Sequence, residues 1–116
     1  MPIKNLTKNT IIATDYKHCT SFWEQAIGLM FTRTMKQPLV FVFDRPQRVH
    51  LHMWFVFYPI DVLWLDEEMH VVQMVENLRP FMLVFSLKRS ICVVELPNGV
   101  IKSSKTAVGD RIEIAN

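Results

Sequence analysis

Glycine is scarce in this chain, with three among 116 residues. Loops that hold phosphate groups need closely spaced glycines, and neither Gly-x-x-x-x-Gly-Lys nor Gly-x-Gly-x-x-Gly occurs. No Gly-x-Ser-x-Gly elbow presents a serine nucleophile either. The sequence therefore gives no support for a nucleotide-dependent enzyme or a serine hydrolase.

Cysteine is equally sparse, because only Cys19 and Cys92 occur and both lie among apolar neighbours. A disulfide scaffold carries more cysteines, so we interpret both as small, buried residues with free thiols. No apolar run reaches the roughly 20 residues that a membrane helix requires, and residues 1–8 lack the apolar core of a signal peptide. We therefore expect a cytoplasmic protein with no membrane partner.

Neither sign of charge dominates, since the chain has 13 basic and 11 acidic residues and a net charge of +2. The charged residues are not concentrated in one segment. A surface that follows a phosphate backbone usually shows a basic stripe, so nucleic acid is not an expected partner. Half of the residues are apolar, which excludes a disordered chain. The length is that of one domain. We expect a single β-rich domain over residues 1–116, preceded by a polar arm at about residues 1–9.

The stretch from His50 to Asp66 organises the predicted fold. Two runs of β-branched and aromatic residues meet at Tyr58-Pro59, which predicts two strands joined by a tight reversal. Both faces of these strands are largely apolar, so their sheet is either covered on both sides or curled into a small barrel.

One helix and several further strands complete the predicted pattern. Apolar residues recur at helical spacing between Cys19 and Met30, which predicts an amphipathic helix around residues 21–27 that packs on the sheet. Strands are predicted at 10–14, 39–43, 70–76, 90–96 and 111–114, turns at 44–47 and 66–69, a strand or a buried loop at 81–85, and a short helix or an irregular turn at 100–106. The expected fold class is α+β and mainly β: a bent antiparallel sheet or small barrel-like fold with one packed amphipathic helix.

Several fragments, taken together and in order, match one known pattern. They are Gly28-Leu29-Met30, Leu39 to Phe43, Met53, Pro59-Ile60-Asp61 with Asp66, Val94-Glu95-Leu96 with Gly99, and Val108-Gly109-Asp110. In this set the chain resembles, over roughly residues 10–115, the domain of unknown function 192 family of bacterial and archaeal proteins. The resemblance implies a compact, barrel-like β-rich domain with a packed helix, and it brings no established activity. The chain departs from many members at Trp54-Phe55, where they have a polar Lys-Asn pair, and at Glu67-Glu68-Met69, where they have a glycine.

Asp61 and Glu95 are acidic residues that the sequence places inside apolar strands. A carboxylate is costly to bury without partners, so each is either a ligand-orienting group or a carboxylate held by backbone N–H groups. If the two converge, they form a polar pocket in an aromatic and apolar setting, as is typical of ligand sites. The predicted ligand-binding residues are Asp61, His52, Glu95 and Trp54, and no catalytic residue is assigned.

His50 and His52 lie two positions apart on a predicted strand, so their side chains would share a face. A zinc site needs three or four convergent ligands, and the other histidines and cysteines show no such spacing. We predict neither a metal nor any other cofactor.

Three classes of function remain open. The first is a non-enzymatic binding or accessory module for an unknown small molecule, peptide or protein. The second is a hydrolase-like enzyme in which Asp61 or Glu95 acts with His52 as acid and base. The third is a protein-interaction domain or homodimer that pairs through an edge strand, either the one from Thr10 or the one from Arg111. A monomer or a homodimer is therefore expected.

Overall fold

The computed structural model describes residues 1–19, 37–53 and 58–115. Within these ranges the chain is built from strands and one short helix. They are β1 (Ile3–Asn5), β2 (Thr10–Ala13), β3 (Lys17–Cys19), β4 (Leu39–Gln47), β5 (Leu51–His52), β6 (Ile60–Leu65), β7 (Val71–Leu78), β8 (Leu83–Val84), β9 (Ser90–Pro97), α1 (Val100–Ser103) and β10 (Ile112–Ile114). The fold is α+β and mainly β, as predicted. The predicted helix around residues 21–27 lies outside the described residues.

A five-stranded sheet in the order β3-β4-β9-β6-β7 forms the centre of the molecule. Its neighbouring strands are antiparallel except for β3 and β4, which are parallel. The predicted antiparallel sheet thus contains one parallel pair, which the long connection between β3 and β4 permits, because parallel neighbours need a crossover of a dozen or more residues. Within the described ranges β3 and β7 remain at opposite edges, so the sheet is open there and not closed into a barrel.

A three-stranded sheet in the order β10-β1-β2 joins the two ends of the described chain. Ile3 and Asn5 of β1 are buried while Lys4 between them is exposed. Residues 3–5, within the stretch expected to be a polar arm, thus form a strand, and a three-residue alternation is too short to stand out in the sequence. β2 and β10, which begin near Thr10 and Arg111, lie at the edges of this sheet as predicted.

The central stretch does not form the predicted hairpin at Tyr58-Pro59. β5 pairs with β8, whereas β6 lies between β7 and β9. Every residue of β6 is buried. β5 and β6 thus both contribute to the core, but they belong to different sheets.

β4 continues through the predicted turn at residues 44–47 as a bulged strand. Val42 pairs with Cys92 and Gln47 pairs with Ser90, so residues 43–46 stand opposite Ile91 alone. Extra residues in one strand bend it and change the direction of its side chains. The turn at residues 66–69 is confirmed, because Oδ1 of Asp66 accepts the backbone N–H groups of Glu68 and His70 there, both at 2.9 Å.

Alternation along the central strands gives the five-stranded sheet two apolar faces. The first face carries a buried cluster that includes Cys19, Leu39, Phe41, Val62, Trp64 and Val93. The second face carries a cluster that includes Val40, Leu63, Leu65, Cys92, Val94 and Leu96, and it packs against Ile3, Ile12 and Ile112 of the three-stranded sheet. Burial on both faces explains why the central strands are apolar almost throughout.

Candidate functional site

Asp61 and Glu95 lie on neighbouring strands but on opposite faces of the five-stranded sheet. Asp61 pairs with Leu96, and Val62 pairs with Glu95. Paired residues share a face and successive residues alternate, so Glu95 lies on the first face and Asp61 on the second. The structure therefore does not bring the two predicted acids together.

Asp61 is a fully buried carboxylate whose two oxygens accept three backbone hydrogen bonds. Its Oδ1 accepts the N–H of Asn77 at 2.9 Å, and its Oδ2 accepts the N–H groups of Gly99 and Ile101, each at 3.0 Å. These bonds connect β6 to the end of β7 and to the first turn of α1. Of the two readings of Asp61, the backbone-held carboxylate is the one that this geometry matches.

Glu95 presents the opposite situation, because it is buried with little polar compensation. Only 5% of the residue is exposed, and it stands between Leu39 of β4 and Val62 of β6 in the sheet. Its Oε2 has no hydrogen-bond partner within the part of the chain that the structure describes. Burial raises the pKa of Glu95 from 4.5 to about 7. The carboxyl group is thus partly protonated at neutral pH and can both donate and accept a hydrogen bond.

Cys19 lies on the same face as Glu95 and close enough to sense its charge. Burial raises the pKa of Cys19 to about 11; the nearby cation of Lys17 opposes this rise and Glu95 adds to it. Cys92 lies on the second face, and burial raises its pKa to about 12. Both thiols are free and buried, as predicted. Neither thiol therefore has the lowered pKa of a nucleophilic cysteine.

The other predicted site residues are placed only in part. His52 lies in β5, and its backbone pairs with that of Leu83 in β8. The side chain of His52 and all of Trp54 lie outside the described residues. His50 is engaged, because its Nδ1 accepts the N–H of Ser86 at 2.9 Å and its ring packs edge-on against Phe85, with 5.5 Å between centroids. The ligand-binding roles of Asp61, His52, Glu95 and Trp54 stay predictions.

The described ranges contain neither a candidate cluster of metal ligands nor a candidate membrane-spanning helix. Over residues 1–19, 37–53 and 58–115, no three His, Cys, Asp or Glu residues are grouped so that they could hold a metal ion. In the same ranges, no helix has the length and apolar character required to span a membrane.

A basic concavity at the bulge of β4 is a feature that sequence reasoning missed. Arg45, Arg48 and Arg89 line it together with Pro46 and Gln47, and its volume is about 560 Å³. Arg89 is far from the other two arginines in the sequence, and only the pairing of Gln47 with Ser90 brings it beside them. No local pattern in the sequence signals this cluster.

Comparison with known proteins places this fold in a family. The family model described as "Uncharacterized ACR", that of domain of unknown function 192, matches residues 4–114. A UPF0127 protein from Pyrococcus horikoshii is 32% identical over 113 residues, which cover 96% of both chains.

Two solved structures resemble the chain closely in three dimensions. A protein of unknown function from Novosphingobium aromaticivorans superposes with a TM-score of 0.83 at 19% identity, over 98% of this chain and 84% of that chain. A proposed transcription regulator from Sinorhizobium meliloti superposes with a TM-score of 0.82 at 22% identity, over 97% of this chain and 89% of that chain. At these identities the likeness concerns the fold alone. The family match spans nearly the whole sequence, and the chain therefore belongs to the domain of unknown function 192 family, whose function is not established.

Proposed function

We propose that this chain is a non-enzymatic binding module that accepts a small molecule or a peptide segment on its first face, beside Glu95. The observation that carries the proposal is the buried Oε2 of Glu95, which has no hydrogen-bond partner among the described residues. Leaving a buried polar atom without a partner costs about 1–3 kcal/mol. A ligand that donates a hydrogen bond to this oxygen recovers that cost on binding.

The surroundings of Glu95 define the chemistry of such a ligand. Leu39, Val62 and Phe41 belong to the same apolar face, so the body of the ligand is apolar. One amide, hydroxyl or amine group of the ligand donates to Glu95. His52 and Trp54 are proposed to contribute further contacts, as the sequence predicted.

Asp61 has a positioning role in this proposal. Its three backbone hydrogen bonds hold β6 against β7 and α1 from the second face. Val62, the next residue of β6, pairs with Glu95. Asp61 thereby fixes the strand beside which Glu95 lies, without contacting the ligand itself.

Acid–base catalysis is a second candidate, and the raised pKa of Glu95 is the observation that favours it. A carboxyl group with a pKa of about 7 is suited to both proton uptake and proton release near neutral pH. In this alternative Glu95 acts with His52, whereas Asp61 is already occupied by backbone donors. A hydrolytic activity that is lost in Glu95→Gln and in His52→Ala would favour the enzyme over the binding module.

Native mass spectrometry of the purified protein, compared with the denatured protein, tests the binding proposal. We expect wild type to carry an additional small mass that Glu95→Met loses, because methionine keeps a similar volume without carboxyl oxygens. Glu113→Gln, at an exposed position of β10, is the matched control and should retain that mass.

Two outcomes would count against ligand binding at Glu95. The first is an additional mass that Glu95→Met retains. The second is a bare wild-type protein that no compound stabilises in a thermal-shift screen. A doubled mass would favour instead the pairing of two copies through the edge strand β2 or β10.

A further inference from the structure

We propose that Arg45, Arg48 and Arg89 form a binding site for a phosphate group. The three side chains line the concavity at the bulge of β4, together with Pro46 and Gln47. This site is distinct from the one proposed at Glu95. Arg89 directly precedes β9 and lies six positions before Glu95, which corresponds to roughly 20 Å along an extended chain.

The bulge of β4 is what gathers the three arginines. Gln47 pairs with Ser90 in the antiparallel ladder between β4 and β9. Arg48 and Arg89 are the next residues on the two segments, on the same side of this pair. Arg45 lies within the bulged residues 43–46, where the regular alternation of the strand is interrupted. Arg45 of β4, Arg48 just after β4 and Arg89 just before β9 thus line one concave surface.

The arginines have no acidic partners within residues 1–19, 37–53 and 58–115. The ion pairs in these ranges involve Lys8 with Asp110 and His70 with its acidic neighbours, but none of the three arginines. All three arginines are exposed, so solvent screens their mutual repulsion, while a bound anion is attracted by all three charges at short range. An uncompensated cluster of this kind is the electrostatic signature of an anion site.

The chemistry of the cluster favours phosphate over a single carboxylate. Each guanidinium group offers a rigid fork of N–H donors that matches the oxygens of either anion. A phosphate monoester presents three free oxygens and close to two negative charges, whereas a carboxylate presents two oxygens and one charge. The volume of about 560 Å³ is that of a small-molecule site, so it leaves room for the group that carries the phosphate.

The phosphate has two possible sources, a free phosphorylated molecule or the headgroup of a lipid. The segment that leads into Arg89 exposes Phe85 and Leu87 to 65% and 78%. Gln73 holds this segment in place, because its Nε2 donates to the carbonyl of Phe85 at 3.2 Å and its Oε1 accepts the N–H of Leu87 at 3.0 Å. Exposed apolar side chains two and four positions before Arg89 suit either an apolar phosphate ester or a lipid.

Calorimetric titration with tripolyphosphate tests the site in solution. We expect saturable binding by wild type, and a loss of at least about tenfold in affinity for the combined variant R45Q/R48Q/R89Q, because each guanidinium supplies charged hydrogen bonds. The variant K102Q/K105Q/R111Q removes the same charge at other exposed positions and should bind within about twofold of wild type. R89Q alone should show a smaller loss, and it keeps β4 unaltered.

Sedimentation with phosphatidylcholine vesicles, with and without phosphatidic acid, distinguishes the two sources. Arginine-dependent binding of tripolyphosphate supports a free phosphorylated ligand, whereas binding only to phosphatidic acid, weakened in F85S/L87S, supports a headgroup. Equal losses in the two triple variants would overturn the proposal, since binding would then reflect net charge. Failure of wild type to bind either probe would overturn it as well.

Discussion

Replacing Glu95 by glutamine should stabilise the folded protein, and the gain should depend on pH. Glutamine keeps the shape of the side chain but cannot ionise. In wild type, burial raises the pKa of Glu95 from 4.5 to about 7, so the folded state holds this proton at pH values where the unfolded chain has released it. A raised carboxyl pKa contributes stability below the unfolded pKa, and this contribution is lost as the pH rises through the folded value.

The size of the effect follows from the two pKa values. A rise from 4.5 to about 7 corresponds to about 3 kcal/mol of lost stability at high pH. The loss develops between the two values and is constant above them. The unfolding free energy of Glu95→Gln should therefore equal that of wild type to within about 1 kcal/mol near pH 4 and exceed it by about 3 kcal/mol near pH 8.

Urea unfolding of both proteins across this pH range measures the difference directly. Other titrating groups, such as the buried Asp110, contribute equally to both proteins and cancel. Glu113→Gln is the control, since it removes a carboxyl group of the same kind at an exposed position of β10. A flat difference for Glu95→Gln would refute the reasoning, because it would mean that the folded protein does not resist ionisation of Glu95.

Three further predictions concern other parts of the fold. Asp61→Asn should lower the unfolding free energy by about 3 kcal/mol in urea titrations, because an amide nitrogen would then face backbone N–H donors. Asp44→Asn, at an exposed position, is the control and should change the unfolding free energy little. Gly109→Ala should cost about 1–2 kcal/mol in the same assay through its φ of +95° alone, since an added Cβ has no atom within 4 Å; a loss below about 0.5 kcal/mol would contradict this. Cys19 and Cys92 should react with a thiol reagent only after denaturation, and rapid labelling of the native protein at neutral pH would contradict their burial and raised pKa values.

The sequence predicted best those elements whose determining residues lie within the element itself. The turn at residues 66–69 depends on Asp66, whose own side chain closes it. The strand predicted at residues 90–96 is confirmed as β9, because a run of β-branched and apolar residues ends there at Pro97. In both cases the residues that determine the structure lie within the element itself.

The partners of each strand were not predictable in the same way. The apolar runs around β5 and β6 indicate burial, but burial does not determine which strands pair, and β5 pairs with β8. The parallel arrangement of β3 and β4 likewise depends on how the chain crosses between them. The short β1 escaped prediction because its burial depends in part on β10, which is more than 100 positions away in the sequence.

The candidate site shows the same limit at the level of single residues. Asp61 and Glu95 give identical signals, a carboxylate between aliphatic residues of a strand. Their faces depend on the register of β6 against β9, in which Val62, and not Asp61, stands opposite Glu95. A shift of one residue exchanges the faces, so the local sequence cannot tell the structural acid from the uncompensated one.

The central position of β1 in its sheet has a consequence for the order in which the protein folds. β1 is the first of the described strands to be synthesised, but one of its two neighbours, β10, is the last of them. Contacts such as that between Asn5 and Asp110 span 105 positions, and closing so long a loop delays folding. During translation, residues 3–5 therefore lack their β10 partner until residues 112–114 have been synthesised. We expect the three-stranded sheet to form late, so pulsed hydrogen exchange should protect the amides of β6 and β9 before those of β1.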